Sequence, residues 1–307
     1  MPGPALTHVP DLDSLDLLLR VAATGSLGQA AAAHGISQPA VSARIRSMER
    51  QVGFALVHRG PTGSTLTPGG ALVADWARDV LHAAAELEAG ILSLRDEREG
   101  RLVVAASQTV AEHLLPRWLV RLSVERPQTA VQLAAMNSAG VVKAVLAGDA
   151  GLGFVEGPGV PRGLGSRIVT RDRLTVVVPP GHPWARRRTP VGVEELAATR
   201  LVHREPASGT RAAFEAALER ALPGHPPLPD PLLEVSTGSA VRSAVAAGAG
   251  PAVLSDLAVR DDVGSGRLVE VAVRGVDLGR DLRAVWPTAQ RPTGPAQDLL
   301  AIATARA

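Results

Sequence analysis

Apolar positions near the start of the chain recur at helical spacing. Leu15, Leu18, Leu19 and Ala22 fall at i, i+3, i+4 and i+7, which predicts an amphipathic helix. Asp11 or Asp13 can cap its start, and Gly25 fits its end. Ser26 opens a short second helix, "LGQAAAAH", which Gly35 terminates. Ser37 opens a third, with Pro39 in the first turn, where a missing N–H costs nothing. Three short helices with turns this tight form a helix-turn-helix unit. In "VHRGPTGSTLTP", Gly60, Pro61, Gly63 and Ser64 separate two short runs, a two-stranded wing. Thr67 and Pro68 then open a long helix, roughly 68–94. Its apolar residues Val73, Trp76, Val80, Ala84, Leu87, Ile91 and Leu94 alternate steps of three and four, a coiled-coil seam that calls for a partner helix.

The charged run "RDEREGR" (95–101) reads as a solvated hinge, and the pattern beyond it changes. The segments "LVVAA", "AVQLAAM", "GLGFV", "RLTVVVP", "RLVHR", "LLEVS", "PAVLS" and "DLRAVW" read as strands. Helical segments fall between them: one through about Arg126, then "AGVVKAVLAG", "SGTRAAFEAALERA" and "SAVRSAVAAG", with a last helix over 293–306. Such alternation predicts parallel sheets in two subdomains.

Composition narrows the function classes. With aromatics at 2% and no Tyr, the cores must be built from Ala, Val and Leu. Absence of Cys excludes disulfides and thiolate metal sites. The 8 His include no HExxH and no close pair suited to a metal, so no cofactor or metal is expected. A net charge of +2 means that any nucleic-acid affinity must come from a local patch. The N-terminus does not read as a signal peptide, and no stretch of about 18 apolar residues predicts a membrane span. The expectation is a cytoplasmic protein.

The third helix supplies a local patch. At 100° per residue, Val41, Ile45, Met48 and Val52 share the face that packs inward. Pro39, Ala43, Arg46, Ser47 and Arg50 lie opposite, with Gln38 and Ser42 flanking. A helix that reads base edges needs short or amide side chains near its N-terminus, and arginines for bases or phosphates. Taken alone, the helix reads better as an ordinary solvated one. Within a helix-turn-helix followed by a wing, double-stranded DNA is the better reading.

The order "TGSLGQAAAAHGISQPAVSARIRSMERQVGFALVHR…LTPGG" resembles the N-terminal domain of LysR-type transcriptional regulators. The resemblance covers residues 12 to about 95 and implies a multidomain α+β chain. Residues 1–66 would form a winged helix-turn-helix, 67–97 a linker and dimerisation helix, and 98–307 an effector domain similar to periplasmic binding proteins. Subdomain I would span about 98–169 and 275–307, and subdomain II about 170–274. The resemblance implies major-groove contacts from Gln38, Pro39 and Ser42, backbone contacts from Arg59 and Thr67, and a homodimer, commonly a homotetramer. Ser37, Arg44, Arg46 and Arg50 complete the expected DNA-facing set. Position 43, often Arg in the family, is Ala here, and Val57 replaces the usual Phe before the wing, so a base preference does not transfer.

In α/β sheets, ligands bind at the carboxyl ends of strands, near helix N-termini. Ser107, Gln108 and Thr109 follow the first strand; Met136, Asn137 and Ser138 follow the second. The segment from Arg204 to Arg211, with Ser208 and Thr210, follows "RLVH", and 236–239, with Thr237, is a fourth such loop. Each hydroxyl taken singly reads as a helix cap; together they read as a polar cleft suited to an anion. By resemblance the effector is a small molecule, often an anion or carboxylate, and the "RExxSGTR" segment resembles regulators of sulfur assimilation and carbon fixation. His203 and Arg204 join the candidate set, although Glu205 can neutralise Arg204; Glu156, near the hinge, can repel an anion or accept from an amine. Gly151, Gly153 and Gly157 do not make the dinucleotide fingerprint, and no P-loop or GxSxG elbow is present. Nothing positions an acid behind His203 for a triad, so an enzyme is not expected. The alternative is a solute-binding protein without gene regulation, against which the N-terminal unit argues.

Overall fold

The computed structural model describes residues 7–60, 63–98, 101–160, 162–288 and 291–305, with the side chains at 59, 86, 89 and 92–98 outside the description. The chain divides into two compact units, one ending at Leu87 and the other beginning at Glu88.

The first unit holds α1 (Leu12–Thr24), α2 (Leu27–His34), α3 (Gln38–Val52), β1 (Val57–Gly60), β2 (Gly63–Leu66) and the start of α4 (Pro68–Arg98). Asp11, Ser26 and Ser37 cap the three short helices, each accepting a backbone N–H three residues on. Bonding to the Ser14 N–H holds the Asp11 carboxyl below its ordinary value. Left-handed glycines end all three helices. Val41, Ile45 and Met48 are buried, as their spacing predicts. In α1 the buried stripe is rotated from the expected one: Leu15, Leu17, Leu18 and Val21 are inside, Leu19 is half-buried and Ala22 is exposed. Both α2 and α3 pack on α1, so the stripe is wider than a single seam.

The wing is an antiparallel ribbon, and the Ser64 N–H donates to the Gly25 carbonyl at 2.8 Å. Glu49 on α3 accepts from the N–H groups of Leu56 and Val57, fixing where the ribbon begins. The "LTPGG" segment is explained by close approach. A Cβ at Gly70 would lie 2.0 Å from the Leu56 carbonyl oxygen, so only glycine lets α4 start there.

Val73 does not join an open seam. It is buried with Ala74 in the N-terminal core, because the first turns of α4 complete that core. The stripe left exposed is Leu72, Trp76, Val80, Leu87 and Ile91, from 40% at Val80 to 67% at Leu87. The side chain of Leu94 lies outside the described residues.

The second unit is built on a sheet of nine strands. In chain order come β3 (Arg101–Ser107), α5 (Gln108–His113), α6 (Leu115–Glu125), β4 (Ala130–Met136), α7 (Ser138–Leu146), β5 (Leu152–Val155) and the long β6 (Leu164–Val178). β7 (Val191–Gly192), α8 (Val193–Ala198), β8 (Val202–Arg204), α9 (Gly209–Ala221), β9 (Leu233–Val235) and α10 (Gly238–Ala246) follow. The chain closes with β10 (Ala252–Ser255), α11 (Asp256–Gly264), β11 (Val269–Val271), β12 (Val273–Arg274), β13 (Gly279–Pro287) and α12 (Gly294–Thr304).

The strand order is β4-β3-β5-β13-β6-β10-β8-β9, with β11 also on β6. The sheet is mixed, not parallel. β3, β4 and β5 are mutually parallel, as are β8, β9 and β10. β6 and β13 run antiparallel to their neighbours and join the two halves. Strand-helix alternation does not reveal this, because the first part of β6, "LGSRIVTRD", mixes charged and apolar residues without a clean period. The short elements α8, α11, β7, β11 and β12 were also not predicted. Gly153 lies inside β5, where a Cβ would meet Val145, Val141 and Val285 within 3 Å. It is a packing glycine, in keeping with the absence of a dinucleotide turn.

Candidate nucleic-acid interface and ligand cleft

α3 presents Ser37, Gln38, Pro39, Ala43, Arg46, Ser47 and Arg50 exposed, with Ser42 and Arg44 half-buried. Arg46 and Arg50 have no ion pair among the described residues, which leaves two uncommitted cations on that face. Arg44 leans the other way, with Nη1 4.0 Å from the Asp13 carboxylate on α1. Thr67 is not available to a phosphate. It is buried, donates its hydroxyl proton to the Ala55 carbonyl at 2.8 Å, and accepts from the Gly70 N–H at 2.8 Å. Its role is to cap α4 and tie that helix to the segment before the wing. Arg59's side chain lies outside the described residues.

In the second unit, the loops after β3, β4, β8 and β9 converge, and direct bonds bridge the two halves of the sheet. The Gln108 amide donates to the Ser236 carbonyl and accepts from the Gly238 N–H, both at 3.0 Å. Asn137 caps α7 through the Gly140 N–H and donates to Glu205 at 3.2 Å. At Gly209, a Cβ would lie 2.3 Å from the Ser138 hydroxyl and 2.7 Å from Glu156 Cγ, so glycine lets the start of α9 close on α7 and β5. Ser138 accepts from the Glu156 N–H at 3.3 Å. Thr237 caps α10 through the Ala240 N–H.

Two hydroxyls in this region behave differently. Ser107 and Ser208 both occupy N-cap positions, yet neither side chain makes a cap bond. They are 0% and 1% exposed, and neither Oγ has a hydrogen-bond partner. Helix capping does not account for them. A buried hydroxyl without a partner costs about 1–3 kcal/mol, so such groups are rare unless something else bonds them.

Behind the hydroxyls lies a buried ion cluster that no sequence motif announced. Arg280 on β13 donates Nε to Asp172 on β6 at 2.8 Å, and its Nη2 lies 3.0 Å from Glu156. Nη1 and Nη2 also reach the hydroxyls of Thr210 and Thr109, at 3.2 and 3.4 Å. Thr210 donates to Glu156 at 3.4 Å, and Ser255 donates to Asp172 at 3.0 Å. One guanidinium thus joins strands and helices from both halves of the sheet. A charged residue on a strand otherwise apolar toward the core was the one available signal, and it does not name a partner.

Two expected site residues belong elsewhere. His203 is buried with its ring 6.0 Å from Phe214 of α9. Burial, then the nearby Arg211 guanidinium, holds it below its ordinary value and therefore neutral. It is a packing residue beneath α9. Arg204 is committed to Glu205 through two bonds of 2.9 and 3.0 Å. Burial pushes Glu205 up, but the bonds from Arg204 and Asn137 outweigh it, and the carboxyl sits below its usual range. Among the described residues, no group of three or more His, Asp or Glu could hold a metal, and no helix is long and apolar enough to cross a membrane.

Residues 12–71 match the bacterial regulatory helix-turn-helix proteins of the lysR family, and residues 95–307 match the LysR substrate binding domain. The chain is 47% identical to the uncharacterized HTH-type transcriptional regulator Rv2282c of Mycobacterium tuberculosis, over 99% of each chain. It is 28% identical to the HTH-type transcriptional regulator CbbR of Xanthobacter flavus, over 93% of this chain and 85% of the other. Among solved structures, the CcmR regulatory domain of Synechocystis, in complex with 2-PG, superposes with a TM-score of 0.59 at 21% identity, covering 66% of this chain and 95% of that one. Together the two family matches span nearly the whole chain, in the order that the helix-turn-helix unit and the sheet-based unit follow, and the chain belongs to the LysR family of transcriptional regulators.

Proposed function

We propose that this regulator binds double-stranded DNA through the exposed face of α3 and responds to a small anionic effector held in the cleft. The observation that carries the effector reading is the pair of buried hydroxyls, Ser107 and Ser208, without partners. Among the described residues the nearby arginines are committed: Arg280 faces Asp172 and Glu156, and Arg204 faces Glu205. The anion is therefore held by hydroxyls and backbone N–H groups, not by an ion pair, which favours a small oxyanion or carboxylate that accepts many bonds. The complex of the similarly folded CcmR domain with 2-PG agrees with an anion in this fold.

The exposed stripe on α4 supports pairing of two copies through that helix, giving a homodimer and, by further association, a homotetramer. An effector that binds one separation of the two halves better than another shifts that equilibrium and, through the pairing, the geometry of DNA contact.

The effector reading is tested by titrating a panel of small oxyanions and carboxylates into the full-length protein by calorimetry. A binding anion should lose about 1.5–3 kcal/mol of affinity in Ser107→Ala and in Ser208→Ala, the worth of a hydrogen bond to a charged group. Equal affinity in both variants would remove the two hydroxyls from the site.

A further inference from the structure

A polar pocket of ≈ 200 Å³ lies beside the hinge strands, lined by none of Ser107, Asn137, Ser208 and Thr237. Its walls come from both halves of the sheet: the Gly157-Pro158-Gly159 turn after β5, the side of α9 carrying Ala213 and Arg220, and the start of β13. Arg220 is exposed and, among the described residues, has no hydrogen bond or ion pair. Arg283 lines the same pocket; its Nη2 is bonded to Asp281 at 2.8 Å, but its Nε is buried without a partner. Asp281 is shared again with Arg171, at 3.4 Å. Among the lining residues, the Asp281 carboxylate thus stands against the guanidiniums of Arg220 and Arg283, and it is further drawn to Arg171, which lies outside the pocket wall. Arg280, which also contributes to the wall, is neutralised from behind by Asp172 and Glu156 and does not add to the excess.

We propose that this pocket is a second anion site, separate from the effector cleft, which takes a small oxyanion such as an inorganic phosphate or a short carboxylate. A pocket this small excludes drug-sized ligands, for which about 300 Å³ or more is usual. Guanidiniums offer planar pairs of N–H donors that match the oxygens of such an anion, and the orphaned Nε of Arg283 is a donor already removed from water. The two walls belong to different halves of the sheet, so an anion between them favours one separation of those halves, and its binding is coupled to that of the cleft ligand by the same factor in each direction.

The test is inorganic phosphate titrated into the full-length protein at constant ionic strength, with chloride as the balancing salt and thermal shift and calorimetry as readouts. Ser107→Ala serves as the background, since it weakens the cleft. Phosphate should still stabilise that background saturably, and adding Arg220→Gln should weaken its apparent affinity by about tenfold, the scale of one charge-assisted contact. Arg220→Lys, which keeps the charge but loses the planar pair of donors, should bind between the background and Arg220→Gln. Arg220 is exposed, so folding is not at stake. A phosphate response abolished by Ser107→Ala places the anion in the cleft and overturns the proposal. So does a response unchanged by Arg220→Gln, or no saturable response above the chloride control.

Discussion

Replacing Arg280 by Met tests the reading of the hinge most directly. The Arg280 side chain is 4% exposed, and the carboxylates of Glu156 and Asp172 are 2% and 1% exposed. With the arginine in place, Asp172 receives two guanidinium contacts, at 2.8 and 2.7 Å, and Glu156 one at 3.0 Å. Methionine fills much of the same volume but removes the cation, which leaves two like charges buried together. Breaking a buried pair from one side costs about 3–5 kcal/mol. In a unit of this size about 1 kcal/mol moves the melting temperature by roughly 2–4 °C, so the second unit should melt roughly 6–20 °C lower. The assay is thermal unfolding of the full-length protein followed by circular dichroism. The compensated variant Arg280→Met with Asp172→Asn and Glu156→Gln should recover most of the loss, since no charge is then left buried alone. A single variant within about 1 kcal/mol of the parent would refute the reasoning, because it would mean that water already reaches these carboxylates.

Gly70→Ala should prevent the N-terminal unit from forming as it stands, since the added carbon would sit 2.0 Å from the Leu56 carbonyl oxygen; retained operator binding in a gel-shift assay would contradict that close approach. Arg46→Ala should cost about 1–3 kcal/mol in specific DNA affinity, and an unchanged operator affinity would take α3's arginine out of the interface. Leu87→Glu places a charge on a residue that is 67% exposed in the single chain, so it should yield monomers with little loss of monomer stability, read by sedimentation. Stability should fall as pH drops below 6.5, the ordinary value for His203, because the unfolded chain takes up a proton that the buried ring resists. His203→Gln should flatten that slope between the unfolded and the lower folded value. A slope as steep as the parent's would show that His203 does not contribute; His113 and His182, also held below their ordinary value by burial, would then account for it.

Much of the first unit was legible in the sequence. Caps, left-handed glycines and the Val41-Ile45-Met48 face are local signals, set by interactions within a few residues, so the helix-turn-helix and the wing could be read directly. The assignments that changed depend on contacts between distant segments. Thr67 reads in sequence as a phosphate contact, but its hydroxyl is bonded to Ala55 and Gly70. Val73 fitted the heptad steps of α4 but is covered by the helices before it.

In the second unit, strand-end hydroxyls were readable as a class, because polar residues that open helices after apolar strands mark the rim of an α/β sheet. Which of them are free was not. Asn137 and Thr237 cap their helices, whereas Ser107 and Ser208 do not, and the difference lies in the side-chain geometry of each folded loop, which residue type does not report. The antiparallel pair β6–β13 was not legible, and of the Arg280 cluster only Thr109, Glu156 and Thr210 were, as members of a polar cleft and not as partners of a buried arginine. Arg280 and Asp172 are 108 residues apart, and their meeting depends on strand order and register. Periodicity reports which face of an element is buried; it carries no information about what the fold places against that face.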